Sequence, residues 1–170
     1  ILYTRVGSFG EAAVIDFDFD FAIFVSLTLI KPKNDIVLSR YLMHYLNTLS
    51  GLIIGIILFH TGFITRTVFN HLDEESTKIF LRAIFPKFFL LLAFIGFSFI
   101  LVGGYLNPGL NKTFAVGVVN AILPSICYFL IPVTNSAKDN NETKKFKLLH
   151  FISVMLTVIT LLANILFVFS

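Results

Sequence analysis

The sequence predicts an all-α fold, a polytopic membrane protein built as a four-transmembrane-helix bundle, and three observations carry that expectation. Only 14% of the 170 residues are charged and 56% are apolar, whereas a soluble domain carries about 25% charged residues. Mean hydropathy is +0.88. The charges are also segregated: Tyr41 to Thr65, Phe88 to Asn111, Thr113 to Ala137 and Leu148 to Ser170 contain no Asp, Glu, Lys or Arg. Each run exceeds the roughly 20 residues that a helix rising about 1.5 Å per residue needs to cross a hydrocarbon core about 30 Å thick. The connections between the runs are too short for an extramembrane catalytic domain.

Residues 1–39 are expected to form a poorly defined N-terminal tail with a truncated or misassigned start, because the first residue is Ile1 rather than Met. Val14 to Ile30 is apolar but is interrupted by Asp16, Asp18 and Asp20, each costing about 2.5 to 3.5 kcal/mol to insert in a membrane. The clean stretch that remains, Phe21 to Ile30, is too short to span. Acids before it and Lys31-Pro32-Lys33 after it are the wrong flanks for a secretory signal. Residues 40–170 then form the four-helix domain, with spans over about 41–65, 88–107, 113–133 and 148–169.

The basic residues read as topology signals rather than as a nucleic-acid surface, although the net charge is +3, because they sit beside the apolar runs. Arg66, Lys78, Arg82, Lys87, Lys138, Lys144, Lys145 and Lys147 fall on one side of a four-span topology. Arg5, Lys31, Lys33, Arg40 and Lys112 fall on the other. The positive-inside bias therefore predicts a multi-pass protein of a cell membrane, expected to be a bacterial inner membrane, with both termini outside the cytoplasm.

The first loop carries its own element. Asp73 is placed to cap a helix with Glu74 and Glu75 in its first turn and Lys78 and Arg82 later, the order the helix dipole favours. A short interfacial helix leading into Pro86 and the second span is expected. Asp139-Asn140-Asn141-Glu142 in the third loop reads as a solvated turn.

At about 100° per residue, polar and small residues line one face of three spans. The first has His44, Asn47, Gly51, Gly55 and Gly62; the third has Thr113, Gly117, Asn120, Pro124 and Cys127; the fourth has His150, Ser153, Thr157, Thr160 and Asn164. Polar groups in hydrocarbon are costly unless partnered, so all three faces are expected to point inward, with Gly96 and Gly103 of the second span beside them. Two readings stay open: the seams pack the helices, or they line a cavity for a small solute. The absence of any Asp, Glu, Lys or Arg within the spans weakens an ion-driven carrier.

A lone cysteine, Cys127, provides neither a disulfide framework nor a Cys-based metal knuckle. His44 opens the first span on one side of the membrane and His150 opens the fourth on the other, so they cannot share a metal. His60 lies about 24 Å along the helix from His44, at the level of His150. It is rotated roughly 160° off the first seam, so joint ligation would require that helix to be turned around. His71, beside Asp73 to Glu75, reads as a loop residue. No nucleophile elbow, phosphate loop, HExxH or paired-carboxylate motif occurs, so no catalytic residue, metal or cofactor is expected.

The order of residues resembles a known family. His44, Leu49-Ser50-Gly51, Gly55, Gly62-Phe63, Val68-Phe69, Leu72 and Ile84-Phe85-Pro86 are followed by Val119-Asn120-Ala121, Pro132-Val133-Thr134-Asn135-Ser136-Ala137, Phe146, His150, Ser153 and Asn164. Over residues 40–170 this is similar to the four-helix membrane family typified by transmembrane protein 205, a domain of unknown function. The resemblance implies a four-helix bundle in a lipid bilayer, with His44, Gly51, Gly55, Pro86, Asn120, Pro132, His150 and Asn164 as family-type positions, and implies no reaction. That family often carries a tryptophan near the first-span glycines, where this chain has Leu52-Ile53-Ile54. A His followed by small residues in a first span also resembles the copper-resistance-D-like and the haem-associated, protoporphyrinogen-oxidase-like membrane proteins, for which copper or haem is the implied cofactor. The function expected is therefore that of a non-enzymatic integral membrane protein with a small-solute or membrane-helper role. Its partners would be the bilayer and other membrane proteins or a second copy of itself, with no nucleic acid.

Overall fold

The structure is a computed structural model that describes residues 35–106 and 112–170. The expected tail lies outside the described residues except for its last positions, 35–39. Contacts divide the chain into Ile1–Leu38 and Ser39–Ser170, and the following account concerns the second unit. All of its elements are helical: α1 (Asp35–Phe59), a π-helical turn (His60–Ile64), α2 (Thr65–His71), α3 (Glu74–Leu106), α4 (Lys112–Asp139) and α5 (Thr143–Val168). With α1, the π-turn and α2 taken as one run, four of these helices are long and apolar enough to cross a membrane.

The helices are longer than the apolar runs. At about 1.5 Å per residue α3 extends roughly 50 Å, well beyond a 30 Å hydrocarbon core. The interfacial helix expected in the first loop is therefore not a separate element. It is the first three turns of α3, which passes through Pro86 without a break. Pro132, expected close to the end of the third span, likewise lies inside α4, as does Pro124. Each proline removes one ladder N–H. The carbonyls left without that donor are those of Asn120 and Tyr128; the nearby hydroxyls bond the next carbonyls along, Ser125 to Ala121 at 2.7 Å and Thr134 to Leu130 at 2.8 Å.

Helix boundaries follow local chemistry. Asp73 caps α3: its carboxylate accepts the Ser76 backbone N–H and the Ser76 hydroxyl, each at 2.9 Å. Both bonds hold its carboxyl below the ordinary aspartate range. α4 is terminated just past Asp139 by Asn141, whose φ of 58° is left-handed. The Glu142 N–H reaches the Ala137 carbonyl at 2.9 Å and the Asn141 N–H reaches the Lys138 carbonyl at 3.2 Å, the paired bonds of a Schellman motif.

The closest packing is between α3 and α4, where glycine permits it. A Cβ on Gly96 would overlap the Asn120–Ala121 peptide, and one on Gly117 would lie 2.9 Å from the Ile100 nitrogen. In hydrocarbon, apolar burial supplies little drive between helices, so close backbone approach and interhelical hydrogen bonds carry the association. Phe99 fills the space beside this crossing and meets Phe167 edge-on at 5.6 Å. The opposite sides of the helices expose Leu90, Phe97, Phe129, Phe151 and Leu162, a surface suited to lipid.

Beyond the apolar layer, one ion cluster joins the overhanging ends. Asp139, at the end of α4, accepts from Arg82 at 2.6 Å and lies 3.2 Å from the Lys78 ammonium. The third loop was expected to be only a solvated turn; Asp139 in fact ties it to α3. The bond spans 57 residues of sequence, which no local pattern encodes.

Candidate functional site

The third and fourth seams face each other and close. Asn164 donates from Nδ2 to Asn120 Oδ1 at 2.7 Å, and Asn120 donates from Nδ2 to Asn164 Oδ1 at 3.1 Å. Asn164 also donates to the Thr160 carbonyl at 2.8 Å, while Ser50 of α1 donates to Asn164 Oδ1 at 2.9 Å. One amide thus ties three helices together. Ser50, Asn120 and Asn164 are 0% exposed and Thr160 is 1% exposed. Lower on the same face, the Ser153 carbonyl accepts from Thr157 at 2.8 Å and from the Cys127 thiol at 3.7 Å.

The first seam is a correction. His44, Asn47, Gly51 and Gly55 are exposed on the outer side of α1 and Gly62 is exposed in the π-turn, and nothing lies within 4 Å of where a Cβ would stand on any of these three glycines. The face turned inward is Leu42, Leu46, Ser50, Ile53 and Ile57, continued by His60 at the start of the π-turn, about 155° round the helix from the predicted seam. Large side chains reach across to the other helices at this contact, and only the serine hydroxyl is needed to meet Asn164. His150 is also corrected. It was placed on the inward seam of α5 but is exposed and stacks on Phe146, with ring centroids 6.0 Å apart. Pro132 is exposed on α4. Ser153 is half-buried and joins the closed face.

His60 occupies the position that required the helix to be turned around. It is 6% exposed, stacked on Phe88 with centroids 4.3 Å apart and tilted against Phe85 at 5.2 Å. Its Nε2 has no hydrogen-bond partner among the described residues. The π-turn that follows has the Thr65 backbone N–H and hydroxyl both on the His60 carbonyl. The wide turn also keeps Val68 buried: eight residues of regular helix would carry it roughly 80° away from the His60 face. His71, by contrast, is exposed beside the Thr67 carbonyl.

Among the described residues no group of three or more His, Cys, Asp or Glu stands close enough to hold a metal ion. Around Asn164 the chemistry on offer is neutral hydrogen bonding between amides and hydroxyls. Sequence reasoning found Asn120, Asn164, Thr160 and Ser153, and missed Ser50 and the burial of His60. Ser50 adjoins Gly51 within the Leu49-Ser50-Gly51 motif, which was the available signal. No family model, no curated protein and no solved structure matches this chain.

Proposed function

We propose that this protein is an integral membrane helper: a non-enzymatic four-helix module that acts by lateral contact of α1 with another helical membrane protein. The observation that carries this reading is the outward placement of His44, Asn47, Gly51 and Gly55 on α1. Polar side chains facing hydrocarbon are unfavourable until they find a partner, and small residues let a second helix approach closely. The closed Ser50–Asn164–Asn120 node supports the same choice, since its groups bond one another and are fully buried rather than presented to a small solute. The resemblance to the transmembrane-protein-205-like family agrees with a bilayer location and a role without chemistry. In this reading the first and third loops lie in the cytoplasm and both termini lie outside, in a bacterial inner membrane.

The test is a photo-crosslinking amino acid placed singly at Asn47 or Gly51, with Ile122 and Ile159 on the outer sides of α4 and α5 as controls, irradiated in native membranes. Protein adducts are expected from positions 47 and 51 and not from 122 or 159. Adducts to lipid alone from all four positions would overturn the proposal.

A further inference from the structure

We infer that His60 is an acid-sensitive latch that fastens the π-helical end of the first span to α3 around Pro86. Two interruptions of helical hydrogen bonding stand at the same level here. On one side is the π-turn His60–Ile64. On the other is Pro86, which has no N–H to offer the Arg82 carbonyl. The His60 ring joins them, lying against Phe85 and Phe88, one position before and two positions after Pro86.

The neutral ring suits this setting and the imidazolium does not. Protonation places a charge and a second N–H donor among phenyl rings, where Nε2 already lacks an acceptor. The rings attract a cation through their π faces, but a buried charge without a counter-ion loses more in hydration than that attraction returns. The side-chain carboxylates between residues 36 and 106 and between 112 and 170 are engaged elsewhere or exposed. Asp73 caps α3, Asp139 pairs with Lys78 and Arg82, and Glu142 pairs with Lys145, while Glu74 and Glu75 are exposed. The charged groups nearest in sequence on the elements beside the ring are Arg66 on α2 and Arg82 and Lys87 on α3, none of which can serve an imidazolium as counter-ion. Acid therefore expels His60 from the contact, and the π-turn, already wider than an α-helical turn, is where the first span gives way.

The test is hydrogen exchange by mass spectrometry on the full chain in lipid nanodiscs between about pH 8 and about pH 5, the range in which a histidine acts as a switch, corrected for the intrinsic pH dependence of exchange. Peptides covering residues 57–68 and 82–90 are expected to lose protection by about tenfold in acid, while those around Asn120 and Asn164 hold. His60→Phe, which keeps the ring stack and cannot titrate, is expected to abolish the pH response. His60→Lys is expected to show the acid pattern already at neutral pH. A response of equal size in His60→Phe, or none in the unsubstituted protein, would overturn the latch. The second outcome is readable even if neither variant folds.

Discussion

Asn120 and Asn164 form a reciprocal amide pair across α4 and α5, each donating to the other's side-chain oxygen, at 3.1 Å and 2.7 Å. Asparagine suits this contact because a single side chain offers both a donor pair and an acceptor. With the Thr160 carbonyl and the Ser50 hydroxyl added, the pair sits at the junction of three helices. Single interhelical hydrogen bonds in membranes average about 0.6 kcal/mol, so the consequence of this geometry lies in removing the shared member.

Asn164→Leu strips Ser50 and Asn120 of their common partner and leaves a buried amide orphaned. The expected loss is about 1 to 3 kcal/mol. Ser50→Ala removes one bond and is expected to cost about 0.6 kcal/mol. Equilibrium unfolding in mixed detergent micelles, with the two variants compared against the unsubstituted protein, reads the difference directly.

The glycines divide into two classes. Gly96→Ala places a methyl group into the Asn120–Ala121 backbone and is expected to destabilise the bundle by about 1 to 3 kcal/mol. Gly51→Ala and Gly55→Ala meet open space, and their folding stability is expected to stay within about 0.5 kcal/mol of the parent. Gly51→Ile is expected to weaken crosslinking from Asn47 while leaving unfolding nearly unchanged, a separation that a purely structural glycine would not show.

The α3 cap is expected to fail in acid. The folded Asp73 carboxyl is held below its ordinary value by Ser76. Its stabilisation is therefore fully present above about pH 3.9, the unfolded aspartate value, and is lost as pH falls through the lower folded value. Amide exchange at the first turn of α3 is expected to quicken on acidification below about pH 4, and Asp73→Ala is expected to show fast exchange at every pH.

Orientation is tested by single cysteines at Glu75 and Asn140, both exposed beyond the apolar layer. With Cys127 buried, a membrane-impermeant maleimide is expected to leave both new cysteines unlabelled in intact cells and to label both after lysis. Labelling of either from outside would reverse the proposed topology.

The spans were legible because a charge-free run has few alternative explanations, and the seams of α4 and α5 were legible because Asn, Thr, Pro and Cys recur there at helical spacing. The α1 face was not. Leu46, Ile53 and Ile57 differ little in polarity from Ile54 or Leu58 on other sides of the same helix, and where lipid is as apolar as the core, hydropathy cannot tell inside from outside. The rule that polar residues turn inward then selected His44, Asn47, Gly51 and Gly55, whereas packing used Ser50 and His60. The helix ends were underestimated for a related reason. The charges at Lys78, Arg82 and Asp139 marked the expected ends of the spans, but helices α3 and α4 continue past the apolar runs and pair them.

The bond from Ser50 to Asn164 joins residues 114 positions apart, and that separation bears on the order of assembly. During synthesis α1 enters the bilayer well before α5 exists, so its serine waits without the amide that will receive it. Helices α3 and α4 meet through glycine contacts close in sequence and can pair in the interval. The Ser50–Asn164 bond can thus form only once α5 has been made, and it leaves the outward polar stripe of α1 uncommitted before and after.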